Sequence, residues 1–194
     1  MESDREIVER VLAGERDAFA ALVRQHQRLV AHVVHRMVRD PRDREELCQD
    51  VFFRVYRKLD TFAHQARLST WIARIAYRAC LNHLERRDLP LYDDLHDAGE
   101  GGEPAIDRVA GSGPSPLESA EAEEMRAFVR ARVDELPVQY RTVVTLYHLE
   151  EMSVGEIVEV TELPDGTVKS HLFRARKLLK EKLMAAYGPS SGAT

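Results

Sequence analysis

The sequence predicts an all-α protein built as two small helical domains joined by a flexible acidic linker. Three observations carry this reading. Apolar residues recur at three-and-four spacing in residues 19–79 and again in residues 125–183, the period of helices that each bury one face. No run alternates with period two for long enough to suggest a strand. Between the two periodic parts, Pro90, Gly99, Gly101, Gly102, Pro104, Gly111, Gly113, Pro114 and Pro116 crowd into one acidic stretch. Such a composition buries too little apolar surface to offset the entropy of ordering it. The expected boundaries are a domain at 1–90, a linker at 91–122, a second domain at 123–187 and a disordered tail at 188–194.

The elements follow in order. Phe19, Leu22, Val23, Leu29, Val30, Val33, Val34 and Met37 mark a first helix. After Pro41, a second places Leu47, Cys48, Val51, Phe52, Val55 and Leu59 on one side, and a third carries Leu68, Ile72, Ile75 and Ala79. In the second domain a helix is expected from Met125 to Leu136, another from Pro137 to near Leu149, a short one from Ser153 and a long one from Pro164 to near Tyr187. Ser153-Val-Gly-Glu156 fits a capping box, in which serine and glutamate satisfy the free N–H groups of a helix start.

Net charge is −5 over 194 residues, which argues at first sight against a nucleic-acid partner. The distribution reverses that impression. Residues 88–124 hold eleven acids against Arg108 alone, a net of −10, which leaves +5 on the rest of the chain. The charged N-terminus lacks the apolar core of a signal peptide, and no run approaches the roughly 18 apolar residues that span a bilayer. Cys48 and Cys80 have no CxxC spacing and read as buried thiols of a reducing compartment, so a cytoplasmic protein with no direct membrane contact is expected.

Residues 153–182 read as short helix, tight turn and long basic helix, the layout of a helix-turn-helix whose second helix enters a DNA major groove. On a helical wheel Val168, Leu172, Ala175, Leu179 and Leu183 fall together and must face the core. Opposite lie Ser170, Phe173, Arg174 and Lys177, flanked by Lys169, His171 and Lys180, with six bases against two acids between Asp165 and Lys182. Arginine and lysine donate to guanine edges and phosphates, and serine serves either. A merely solvated basic face is the bland alternative, and the capped helix and Pro/Gly turn ahead of it favour DNA.

Glu135-Leu136-Pro137 with Tyr140-Arg141, followed by Gly166-Thr167-Val168-Lys169-Ser170-His171-Leu172-Phe173-Arg174-Ala175-Arg176, resembles region 4 of the sigma-70 family, extracytoplasmic-function (ECF) group. Glu45-Glu46-Leu47-Cys48-Gln49-Asp50-Val51-Phe52, Asp60-Thr61-Phe62 and Ser69-Thr70-Trp71-Ile72-Ala73-Arg74 resemble region 2 of the same family. The two matches stand in the family's order across a variable linker. The resemblance implies a sigma factor that binds core RNA polymerase at the clamp helices of its largest subunit and directs initiation at −10 and −35 promoter DNA. It also implies an anti-sigma protein that holds the factor inactive.

By position, Lys169, Ser170, His171, Phe173, Arg174, Arg176 and Lys177 inherit the −35 role. The sequence departs from the family at His171, where arginine is usual, at Val158, where alanine is usual, and at Glu162, where the turn usually has glycine. Glu46, Gln49, Asp50, Phe53 and Arg57 lie away from the apolar stripe of their helix and are expected to contact polymerase, Phe53 being an apolar ring among charges. The loop from Phe62 to Ser69 and the helix after it correspond to the −10 reader, with His64, Gln65, Arg67, Trp71, Arg74, Arg78 and Asn82 as its residues. Arginines neutralise phosphate, and loop side chains can hydrogen-bond a flipped base. Trp71 has two readings, core packing and base stacking.

No GxxxxGK[ST], GxSxG or HExxH occurs, and His32-x-x-His35 lacks further ligands at metal spacing, so no enzyme activity, cofactor or metal is expected. The alternatives are a one-component helix-turn-helix regulator acting as a dimer and an adaptor whose basic lobes bind an acidic protein.

Overall fold

The computed structural model describes residues 3–87 and 116–187. The expected tail and most of the expected linker lie outside the described residues. Among them the chain forms eight α-helices: α1 (Asp4–Leu12), α2 (Arg16–Met37), α3 (Pro41–Lys58), α4 (Leu68–Arg86), α5 (Pro116–Asp134), α6 (Val138–His148), α7 (Val154–Thr161) and α8 (Asp165–Tyr187), with a 3₁₀ turn at Leu59–Thr61 after α3.

Helix starts are set by local chemistry. The Ser3 hydroxyl accepts from Glu6 N–H at 3.3 Å while the Glu6 carboxylate accepts from Ser3 N–H at 2.9 Å, a capping box that opens α1. Gly14, at φ 87°, turns the chain into α2. Asp40 accepts from Arg42 N–H at 2.8 Å, and Pro41 occupies the first turn of α3, where its missing N–H costs nothing. The start of α4 has no cap of its own. Leu68 N–H instead donates to Asp4 of α1 at 3.2 Å, so α1, which the periodicity did not reveal, ends up finishing α4. Helix α5 begins at Pro116, inside the expected linker, because proline suits a first turn and the Ala/Glu run behind it has high helix propensity.

Helices α2, α3 and α4 pack on one another with α1 across α2, while α6, α7 and α8 form a second group with α5 against α8. The two groups are not held apart. Helix α2 packs on α6 and α4 on α7, and one core runs through both lobes, from Leu22, Val30, Val51 and Ile72 to Leu146, Ile157 and Val168. The apolar face of α8 is buried at Val168, Leu172 and Ala175, and half-buried at Leu179 and Leu183. Cys80 is buried and Cys48 half-buried, both free thiols, and burial pushes the Cys80 thiol up to about 12.

Arg141 sits at the seam, 5% exposed. Its guanidinium donates to the backbone carbonyl of Arg36 in the other lobe and to that of Asp134 at 3.1 Å. Arg36 in turn pairs with the Asp134 carboxylate. A charge this deep persists because fixed acceptors replace the water it lost.

Burial depresses the basicity of His26, His35, His148 and His171, in each case mainly by desolvation. The folded chain therefore binds fewer protons than the unfolded chain as pH falls through 6.5, and these histidines cost stability on acidification. The unfolding free energy should drop from pH 7.5 to pH 5.5 in urea titrations, and His26→Leu should make that drop shallower. An unchanged slope in His26→Leu would show that His26 titrates alike in the folded and unfolded states.

Candidate nucleic-acid interface

Three surfaces carry the residues singled out by sequence. The first is built on α7 and α8. Ser153 and Glu156 form the expected capping box: Glu156 N–H donates to the Ser153 hydroxyl at 3.2 Å, and the Glu156 carboxylate accepts from Ser153 N–H at 2.9 Å. Helix α7 closes at Glu162, whose φ of 59° is left-handed, the conformation that makes glycine the usual occupant of such a turn. Pro164 then starts α8, its carbonyl accepting from Thr167 and Val168 N–H.

With the apolar side of α8 buried, Lys169, Phe173 and Lys177 stand exposed and Ser170, Arg174 and Arg176 half-exposed. Phe173 shows 43% of its surface. Arg176 is held over the Tyr147 ring at 5.3 Å, which fixes its direction at the flank. His171 departs from expectation. Its ring packs edge-on against Tyr140 at 5.1 Å, and Nδ1 is buried without a partner. Desolvation first, and Arg174 second, lower its basicity, so it is a neutral packing residue here rather than a free DNA donor.

The second surface is the outer side of α3. Glu46, Gln49, Phe53 and Arg57 are exposed there, and Asp50 is half-buried, bound to Arg54 at 2.8 Å. Phe53 is 58% exposed with the Arg57 guanidinium 5.6 Å from its ring centre. Tyr56, 56% exposed and edge-on to Phe19 at 5.0 Å, extends this patch. Sequence reasoning missed Tyr56. Its place three residues from Phe53, on the same face, was the available signal.

The third surface is the 62–69 loop with α4. His64 and Gln65 are exposed, His64 at φ 55° with its ring against Phe62 at 4.6 Å. Trp71 is 8% exposed and tilted against Phe62 at 5.4 Å, so of its two readings the packing one holds and base stacking is withdrawn. Arg67, Arg78 and Asn82 are exposed and Arg74 half-exposed along α4. Part of this stripe is already occupied. The Glu156 carboxylate that caps α7 also accepts from the Thr70 hydroxyl at 3.1 Å and lies 3.6 Å from Arg67, and Glu162 pairs with Arg78. Burial alone would raise the Glu156 pKa. The Ser153 N–H and hydroxyl, the Thr70 hydroxyl and the Arg67 charge together outweigh that and hold it below the usual carboxylate value. No helix among the described residues is long and apolar enough to cross a membrane.

The sigma-70 region 2 family matches residues 22–89, and sigma-70 region 4 matches residues 129–179. The chain is 33% identical over 187 residues to the ECF RNA polymerase sigma-E factor of Escherichia coli K12, covering 93% of this chain and 94% of that one. It is 29% identical over 176 residues to the ECF sigma factor SigW of Bacillus subtilis 168, covering 91% and 94%. The chain belongs to the ECF sigma factors. A sigma factor gives core RNA polymerase its promoter specificity, so the readings as a one-component regulator and as an adaptor fall. In fold the chain is also similar to the Bartonella quintana sigma factor RpoE in its complex with the anti-sigma factor NepR, with TM-score 0.60 and 19% identity over 85% of this chain and 96% of that one.

The left-handed Glu162 generates a direct prediction. Glu162→Gly should leave stability unchanged or raise it by up to about 1 kcal/mol, since relief of backbone strain offsets the weak exposed ion pair. Glu159→Gly, three residues earlier inside α7, should cost about 1 kcal/mol. Denaturant melts of the two variants decide it; equal losses would show that φ at Glu162 is not strained.

Proposed function

We propose that the three surfaces divide the work of a promoter-specificity subunit. The α3 side, through Glu46, Gln49, Asp50, Phe53 and Arg57 with Tyr56 added, docks on the clamp helices of the polymerase largest subunit. The 62–69 loop and α4, through His64, Gln65, Arg67, Arg74, Arg78 and Asn82, hold and open the −10 DNA. Helix α8, through Lys169, Ser170, Phe173, Arg174, Arg176 and Lys177, lies in the −35 major groove. Residues 1–90 form the polymerase and −10 domain, 91–122 the connector and 123–187 the −35 domain.

The observation that carries this is the two-sidedness of α8: Val168, Leu172 and Ala175 are sealed in the core while the cationic side faces out behind a short capped helix. That is the geometry a major-groove reader needs. The protein acts in the cytoplasm without catalysis of its own, all chemistry being the polymerase's. An anti-sigma factor is its negative regulator, a reading supported by the similarity in fold to a sigma factor solved with NepR.

Reconstitution with bacterial core RNA polymerase tests the reading, by co-elution at moderate salt and by transcription from a random-promoter library. New start sites restricted by sequence at −10 and −35 are expected; no association with core would overturn it. Within that assay, Phe53→Ala/Tyr56→Ala should weaken core binding by roughly 10-fold or more while the fold survives, since both rings are exposed. Arg174→Ala should lower affinity for the selected −35 sequence by about 1–3 kcal/mol if it reads a base, and equally for all sequences if it contacts only phosphate. Trp71→Ala should instead lose about 3–5 kcal/mol of stability, as a buried aromatic does.

A further inference from the structure

The loop assigned to the −10 element is pinned from outside the segment that the region 2 family covers. That family matches from residue 22 onward, whereas α1 spans Asp4–Leu12. Helix α1 nonetheless meets both ends of the loop. It packs on the 3₁₀ turn Leu59–Thr61 at the entrance, and at the exit the Asp4 carboxylate accepts from Leu68 N–H at 3.2 Å. Arg67, in the cap position of α4, makes no side-chain cap bond, so Asp4 supplies from 64 residues away what an N-cap side chain normally supplies locally. A carboxylate there also suits the positive end of the α4 dipole.

Asp4 stands on a fixed base. Ser3 and Glu6 cap the start of α1, and Ile7, Val8 and Val11 seal the helix into the core. Inside the loop, Phe62 is buried, with its ring against those of His64 and Trp71. His64 has a left-handed φ of 55°, which a residue with a side chain keeps only where its surroundings impose it. The exposed tip, His64 and Gln65, is thus carried between two anchors: the buried Phe62 before it and the Leu68 N–H bond after it.

We propose that Asp4 is a positioning residue for promoter recognition: by holding Leu68 N–H it fixes the exit of the 62–69 loop, and with it the direction in which His64 and Gln65 meet a −10 base. The inference rests on the assignment of that loop to the −10 element. Asp4 itself touches no DNA and acts through the backbone of Leu68. Without its acceptor, the Leu68 N–H turns to water and the loop exit gains freedom. His64 and Gln65 then approach the base over a spread of geometries. Hydrogen bonds weaken steeply with misalignment, so discrimination between bases falls further than binding to polymerase or to the −35 element, which Asp4 does not support.

The test uses the full chain reconstituted with core polymerase on two template libraries, one randomised at −10 behind a fixed selected −35 sequence and one the reverse. Asp4→Ala removes the acceptor, whereas Asp4→Asn keeps an oxygen for the Leu68 N–H. Asp4→Ala should reduce preference for the selected −10 sequence by roughly 5-fold, the scale of one lost hydrogen bond. Preference at −35 and co-elution with core should stay as in the parent, and Asp4→Asn should restore most of the −10 preference. Unaltered −10 preference in Asp4→Ala, with only total activity lowered, would overturn the positioning role and leave the loop assignment standing. Unaltered −10 preference in His64→Ala/Gln65→Ala would overturn the assignment, and the inference with it. Amide exchange followed by NMR in the parent chain reads the bond without any substitution. Leu68 N–H should exchange at least about 10-fold more slowly than the amides of His64 and Gln65, and equal rates would overturn the inference.

Discussion

The Glu156 carboxylate is the point on which the arrangement turns. One oxygen completes the cap of α7 through Ser153, and the other accepts from Thr70 and faces Arg67. Starting the helix-turn-helix and joining the lobes are thus one structural event. Without the cap, α7 has eight residues and little reason to be helical alone, because short helices draw their stability from tertiary contacts. With it, Ile157 and Val160 are presented to the core, Glu162 is carried into its left-handed turn, and α8 leaves at the angle that buries Val168 and Leu172. The orientation of the proposed −35 reader is therefore set by a residue that also touches the proposed −10 reader.

This coupling explains why the chain can be acidic on average and still be a DNA-binding protein. Net charge governs solubility and long-range steering, whereas recognition depends on where charge sits. Acid is concentrated in residues 88–124 and again in 134–165, and base in the first lobe and α8. Each basic surface consequently has an acidic segment of the same chain near it in sequence. At the seam the structure shows one such pairing made, between α7 and α4.

Much of this was legible before any fold was known, and the rest was not for physical reasons. Helical period marked α2, α3, α4 and α8 because each buries one continuous stripe, and the Ser153–Glu156 box was readable because capping is local in sequence. The same local signature, Ser3 with Glu6, announced α1 and was overlooked beneath its high charge. Periodicity says that a face is buried, not against what, so Trp71 kept a stacking reading beside the favoured core one until Phe62 was seen beside it. His171 looked outward on the wheel, at the margin of the basic face, where a small rotation decides between groove and core; Tyr140 decided it. The seam was illegible altogether. Its partners lie 84 to 118 residues apart, and no local pattern ties Arg78 to Glu162 or His32 to Glu150.

The strength of such a seam follows from its composition. Arg78 and Glu162 are each more than half exposed, and an exposed pair of this kind contributes about 0–1 kcal/mol. The Arg141 guanidinium, buried and bound to backbone carbonyls on both sides, is costly to pull apart, and so is the apolar core that continues from one lobe into the other. Polymerase and a DNA phosphate track, by contrast, each engage many groups at once, and every phosphate neutralised releases counterions. The exposed pairs add little to a seam that the shared apolar core and the buried Arg141 already hold. Replacing the exposed pairs by apolar groups would extend that core and remove the part of the seam that responds to salt.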